Sequence, residues 1–201
     1  MSTLKLYEHE LSGNSYKVRL FLSLLGLPFA AQRVDLFKGE GRQPEYLAIS
    51  ALGQVPALVD GGDALRDSQA ILFYLARTYG GGRWIAEEPL GQARTIAWLS
   101  FAANELANGP AALRIAVRFN RPVDTGWATA VTQRAFGLMQ STLVHQPWLM
   151  PGEHPSIADI ACFPYTALAH EGNVSLADYP AVIAWCDRVR ALPGFVAMEG
   201  V

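Results

Sequence analysis

Three short stretches of this chain hold residues whose types and spacing suit the binding of a small anionic ligand. The first is Gln54-Val55-Pro56-Ala57. A proline directly before a strand is tolerated at the strand's first position or on an edge. With the Val55–Pro56 bond cis, the bend would turn the N–H and C=O of Val55 outward, where an extended peptide can pair as an added strand. An ordinary turn proline is the other reading of the same residues. The second stretch is Asp67-Ser68-Gln69-Ala70-Ile71. Ser68 reads as the N-cap of a helix, where free amides and the helix dipole favour a carboxylate. Asp67 adds an acceptor suited to an ammonium group, so a ligand carrying both an α-carboxylate and an α-amine would fit. A plain N-cap is the simpler alternative. The third stretch is Ser12-Gly13-Asn14-Ser15, between the first strand and the first helix. Small α/β domains bind ligands at such strand ends and helix starts. His9 is nearby, but neither an Asp-His-Ser order nor a nucleophile elbow is present. The Ser12 hydroxyl would instead donate to an anion, such as a ligand thiolate; a turn built on Ser and Asn is the alternative.

Other chemistries find no support in the sequence. There is no phosphate-binding Walker loop, and Gly39-Glu40-Gly41 lacks the third glycine and the setting of a dinucleotide fingerprint. His9, His145, His154 and His170 are isolated, so no metal is expected. Cys162 and Cys186 lie in apolar helical patterns and read as reduced core thiols. The formal net charge is -2 and Lys5, Lys17 and Lys38 are the only lysines. That balance argues against nucleic-acid and membrane-surface partners. Residues 16–31 imitate a secretory signal, but a strand and two glutamates, Glu8 and Glu10, precede the apolar stretch. An amphipathic helix is the reading there. No apolar run approaches the roughly 20 residues that span a bilayer, and a cytoplasmic location is expected.

The elements that must position these residues follow from periodicity and breakers. The chain has 201 residues, 51% hydrophobic and 17% charged, enough for two small globular domains. A strand over 4–7 leads through the Ser12 loop to a helix over 15–25, stopped by Gly26 and Pro28. A strand over 29–34 and a short helical turn over 44–48 follow. Residues 57–59 and 64–66 form a hairpin around Asp60-Gly61-Gly62, and a helix starts at Ser68. The order β-α-β-α-β-β-α predicts an α/β domain over residues 1–80, with helices on a mixed sheet. Gly80-Gly81-Gly82 opens a linker over 81–88, and residues 89–201 read as an all-helical domain. Helices are expected there over 89–107, 111–119, 125–145, 156–170 and 180–192. Ser156-Ile157-Ala158-Asp159 has the form of a capping box, so Asp159 is assigned a structural role.

Taken together, the fragments resemble the glutathione transferase superfamily, with the serine-type active-site loop of bacterial members. The resemblance is carried by SGNSYKVRL, by GEGRQPEYLAISALGQVPALVDG followed by DSQAI, by PSIADIACFPY and by YPAVIAWCDRVRALPGF, in that order. It implies a thioredoxin-like N-terminal domain, a helical-bundle C-terminal domain, a homodimer and a role in detoxification, with glutathione as co-substrate and a small hydrophobic electrophile. Under it, Val55 pairs with the cysteinyl backbone of glutathione, and Asp67 and Ser68 hold the γ-glutamyl end. Arg42 and Gln54 lie near the glycyl end, with Lys38 a second candidate for that carboxylate. Ser12 matches the thiol-activating hydroxyl, and Asn14 an asparagine of some disulfide-reductase-like members. Gly41-Arg42 and Ser50-Ala51 stand where related sequences carry His-Lys and Asn-Pro. No cysteine lies in the first-helix loop, which speaks against members that form a mixed disulfide through their own thiol.

The energetics of such a site are modest. Lowering a thiol pKa from about 8.5 by about two units corresponds to about 2.7 kcal/mol. One hydrogen bond to a charged acceptor supplies about 1.5–3 kcal/mol. Ser12 and the first helix's amides would therefore suffice for thiolate formation without a base. Tyr7, Trp98 and Phe101 are candidates for the apolar side of the site. The expected activity is glutathione transfer to an electrophile; a glutathione-dependent disulfide reductase or peroxidase, and a non-catalytic binding module on the same fold, are the alternatives.

Overall fold

The computed structural model describes residues 4–201. They form two compact units. The first runs to Gly81 and also takes in Pro193–Glu199; the second comprises Gly82–Leu192 and Gly200–Val201.

In the first unit the strands are β1 (Leu4–Glu8), β2 (Phe29–Arg33), β3 (Ala57–Asp60) and β4 (Asp63–Arg66), in sheet order β2-β1-β3-β4. β1 runs parallel to β2 and antiparallel to β3, and β3 is antiparallel to β4. The β3–β4 connection is the tight hairpin that Asp60-Gly61-Gly62 predicts. Gly61 and Gly62 both take positive φ, 59° and 104°, which a residue with a Cβ seldom adopts. Helices α1 (Gly13–Leu24), α2 (Pro44–Leu47) and α3 (Ser68–Tyr79) complete the unit. α1 starts two residues earlier than its apolar period suggests, because Ser12 rather than a later residue is its N-cap. A 3-10 turn over Glu40–Arg42, which carries no periodic signal, precedes α2. Leu6, Leu20, Leu22, Leu58, Ile71 and Leu72 are fully buried, each contributing about 1.5–3 kcal/mol. This is the thioredoxin-like α/β arrangement of a mixed four-stranded sheet with helices.

The segment 193–199, grouped by composition with the helices before it, packs in this first unit. The Tyr16 hydroxyl donates to the Val196 carbonyl and the Ser23 hydroxyl to the Gly194 carbonyl, each at 2.7 Å.

The second unit is helical: α4 (Pro89–Asn108), α5 (Pro110–Phe119), α6 (Thr125–Leu143), α7 (Ile157–Ala167) and α8 (Pro180–Arg190). α4, α5 and α8 begin on proline, where the missing N–H costs nothing. α7 ends earlier than expected and gives way to a 3-10 turn, Ala169–Gly172. Trp84 and Ile85 are buried in this unit, and the Trp84 carbonyl accepts from Ile157 N–H at 2.9 Å. No helix among the described residues is long and apolar enough to cross a membrane.

Candidate functional site

All seven residues singled out as site candidates, Ser12, Asn14, Arg42, Gln54, Val55, Asp67 and Ser68, fall in the first unit. They stand on the β1–α1 junction, the 3-10 turn, the segment before β3 and the start of α3.

At the β1–α1 junction the Ser12 Oγ accepts from Ser15 N–H at 3.1 Å, as an N-cap does. This uses an oxygen lone pair and leaves the hydroxyl hydrogen available to donate. Among the described residues the N–H groups of Gly13 and Asn14 find no internal acceptor, so they add to the positive end of α1. His9 is buried: its Nδ1 lone pair accepts from Leu11 N–H at 3.2 Å, which puts the ring hydrogen on Nε2, a nitrogen without a partner among the described residues. It is therefore not a base for Ser12.

The start of α3 corrects one expectation. The N-cap is Asp67, not Ser68, because the Asp67 Oδ1 accepts from both Gln69 and Ala70 N–H at 3.0 Å. Ser68 is the first helical residue and is buried, its hydroxyl bonded to Gln69 Oε1 and 3.5 Å from Asn14 Oδ1. Asp67 is exposed, its Oδ2 has no partner among the described residues, and its backbone takes φ 72°. A positive φ is costly for a residue with a side chain and recurs at functional sites. The local sequence misses it because aspartate and serine are both good caps.

The segment before β3 is held from outside. The Val55–Pro56 peptide bond is cis. The Gln54 carbonyl accepts two hydroxyls, Tyr46 at 2.7 Å and Ser50 at 2.9 Å. Burial pushes the Tyr46 phenol up to about 12, so it remains a donor. Val34, Tyr46 and Val55 form a small buried cluster with Tyr7 and Ile49 against it. Among the described residues neither the N–H nor the C=O of Val55 has a partner within the protein. An unpaired donor and acceptor on one largely buried residue is an opening for an incoming backbone.

Gly41 belongs to the same device. A Cβ on Gly41 would lie 2.4 Å from the Gly53 carbonyl oxygen, and one on Gly53 2.3 Å from that of Gly41. The turn bearing Arg42 is thus backed directly onto the segment leading to Val55. That contact is the physical reason why no larger residue fills position 41. Arg42 and Gln54 are both exposed, and the Arg42 guanidinium has no partner among the described residues. Lys38 is also exposed and lies 3.7 Å from Asp35 Oδ2.

The three apolar candidates separate. Tyr7 packs on Tyr46, ring centroids 5.8 Å apart, and so supports the Val55 cluster. Trp98 and Phe101 meet edge to face at 5.1 Å on α4 and line a crevice of about 430 Å³ with Asn104, Glu105 and Leu138.

Comparison with known proteins decides the family. The family model described as glutathione S-transferase, N-terminal domain, matches residues 11–78. The disulfide-bond oxidoreductase YfcG of Escherichia coli is 36% identical over 193 residues, covering 90% of this chain and 87% of that protein. The chain belongs to the glutathione transferase superfamily. A maleylacetoacetate isomerase of Pseudomonas aeruginosa is 29% identical, over 96% of this chain and 93% of that protein. Among solved structures, a glutathione S-transferase from Xanthobacter autotrophicus superimposes with a TM-score of 0.90 at 34% identity, covering 98% of each chain. A glutathione transferase homologue from Drosophila mojavensis, solved with bound glutathione, is 26% identical with a TM-score of 0.85, over 96% of this chain and 90% of that one. Members of this superfamily are glutathione-dependent enzymes, and the relatives named here span transferase, oxidoreductase and isomerase chemistry.

Proposed function

We propose that this protein is a glutathione transferase whose first unit binds glutathione and activates its thiol for attack on a hydrophobic electrophile. The observation that carries this reading is the unpaired N–H and C=O of Val55, together with the unused N–H groups of Gly13 and Asn14 at the start of α1 and the free oxygen of Asp67 at the start of α3. A peptide-like ligand with a carboxylate, an ammonium and a central backbone meets those groups one for one. In this reading the cysteinyl backbone pairs with Val55. The γ-glutamyl carboxylate lies on the α3 start at Ser68, and its ammonium on the free oxygen of Asp67. The glycyl carboxylate faces Arg42 and Gln54, with Lys38 close by in sequence. The thiolate is held by the Ser12 hydroxyl and Asn14. It then forms a bond to the electrophilic carbon, whose leaving group departs with the electron pair. The protein acts as a cytoplasmic homodimer in detoxification, and sedimentation of the purified protein tests the assembly.

The test is the pH dependence of conjugation with an aryl halide. Ser12→Ala removes one hydrogen bond to a charged sulfur, so the midpoint should rise by about 1–2 pH units. Glutathione affinity should stay nearly intact. An unchanged midpoint removes Ser12 from the mechanism.

A second reading, glutathione-dependent disulfide reduction, is favoured by the activity named for the E. coli relative and by Asn14 at the loop. The chain's own Cys162 and Cys186 are both buried in the second unit, so both thiols would come from glutathione. Turnover of a glutathione mixed disulfide with near-zero conjugation would select this reading.

A further inference from the structure

Lys17 is the one lysine with no exposed surface, and it lies on the first turns of α1, three residues beyond Asn14. Taking an ammonium out of water is costly unless it is well partnered, and fully buried lysines are rare. A helix position facing the core needs only a leucine or an alanine, so the charge requires another explanation. Its Nζ donates to Asn14 Oδ1 at 2.9 Å. An ammonium donates and never accepts, so the Asn14 atom facing Lys17 must be the carbonyl oxygen. The Ser68 hydroxyl lies 3.5 Å from that same oxygen. With Oδ1 held by the Lys17 ammonium, the two N–H donors of the carboxamide point away from it. The Ser12 N-cap and the free N–H groups of Gly13 and Asn14 stand at the same helix start.

We infer that Lys17 is a positioning residue for the thiol site. Its buried ammonium fixes the Asn14 carboxamide in the one orientation that presents N–H donors, rather than a carbonyl, to the sulfur of bound glutathione. This rests on the glutathione reading above. Without Lys17 the amide is free to flip, and a carbonyl oxygen facing a thiolate would repel it. The same placement suits a sulfur acting as nucleophile and a sulfur leaving from a disulfide, so the role holds for either reaction.

The experiment is a double-mutant cycle on the full chain, read as kcat, glutathione KM and thermal midpoint. Asn14→Asp keeps the acceptor for Lys17, removes the outward donors and puts a charged carboxylate oxygen in their place. Lys17→Met keeps the length and removes the charge. Each should lower kcat by about tenfold to hundredfold, with little change in glutathione KM. The double variant should be no slower than Asn14→Asp alone, and Lys17→Arg should recover part of the loss. Multiplying effects, or full kcat in Asn14→Asp, overturn the role of Lys17 while leaving glutathione binding in place. If Lys17→Met does not fold, Asn14→Asp still decides. Calorimetry of glutathione with the unaltered protein tests the underlying reading separately; no binding there would remove both.

Discussion

Asp159 and Asp67 each serve the start of a helix, yet they are built in opposite ways. Asp159 is fully buried in the second unit. Its carboxylate accepts from Leu149 N–H, Ser156 N–H and the Trp185 indole, each at 2.8 Å, and from the Ser156 hydroxyl at 3.2 Å. Ser156 in turn caps α7, its Oγ accepting from Ala158 N–H at 3.2 Å, and both reciprocal bonds of the capping box are present. Burial pushes the Asp159 carboxyl up, and these donors pull it back. Asp67 is exposed, uses one oxygen for two amides, and keeps the other free on a backbone at positive φ. The first carboxylate is consumed by the fold. The second caps α3 with one oxygen only, and the strained backbone with its free second oxygen supports the proposed ligand contact. Asp60 stands between them: it is buried at the end of β3, and the Tyr74 and Tyr79 hydroxyls both donate to it.

Substitutions can break this contrast. The largest effect is expected at Asp159→Ala, which strands several buried donors and should cost about 3–5 kcal/mol of stability. Chemical denaturation measures it; a loss below 1 kcal/mol would mean that the buried carboxylate is not holding α7. Asp67→Gly should do the reverse. Glycine relieves the positive φ and caps within a few tenths of a kcal/mol of aspartate. Stability should therefore change by less than about 0.5 kcal/mol, while glutathione affinity falls roughly tenfold to hundredfold as a charged contact of about 1.5–3 kcal/mol is lost. Equal affinity by calorimetry would place Asp67 with Asp159 among purely structural residues. The smallest effect concerns Asp60. Its hydrogen bond pushes the Tyr79 phenol up to about 12, against an ordinary value of 10.0. The folded state favours the protonated phenol, so this contribution is present below pH 10 and is lost as pH rises toward 12. In Asp60→Asn the phenolate absorbance of Tyr79 should appear at lower pH.

Much of this architecture is legible in the sequence because the signals are local. Prolines at helix starts, the Asp60-Gly61-Gly62 hairpin and the Ser156 box each act over a few residues. What stayed hidden depends on contacts between distant segments. The Gly41–Gly53 approach joins two loops, and neither glycine alone announces it. The burial of Lys17 shows only in the packed fold. Asp67 rather than Ser68 caps α3 because cap preference ranks them nearly equal, and the backbone decides. The residues of the proposed site were nameable one by one. Their mutual orientation, with Asn14 held by Lys17 and Gln54 by Tyr46 and Ser50, was not.

The return of residues 193–199 to the first unit bears on how the protein is made. Strands and helices of that unit leave the ribosome before residues 82–192, but the segment that accepts from Tyr16 and Ser23 emerges only after them. At about 5–20 residues per second, the early half waits on the order of ten seconds for its own final piece. During that interval the outer side of α1 around Tyr16, which is fully buried in the finished protein, lacks this cover. The first unit is therefore begun early and completed only after the second has been made.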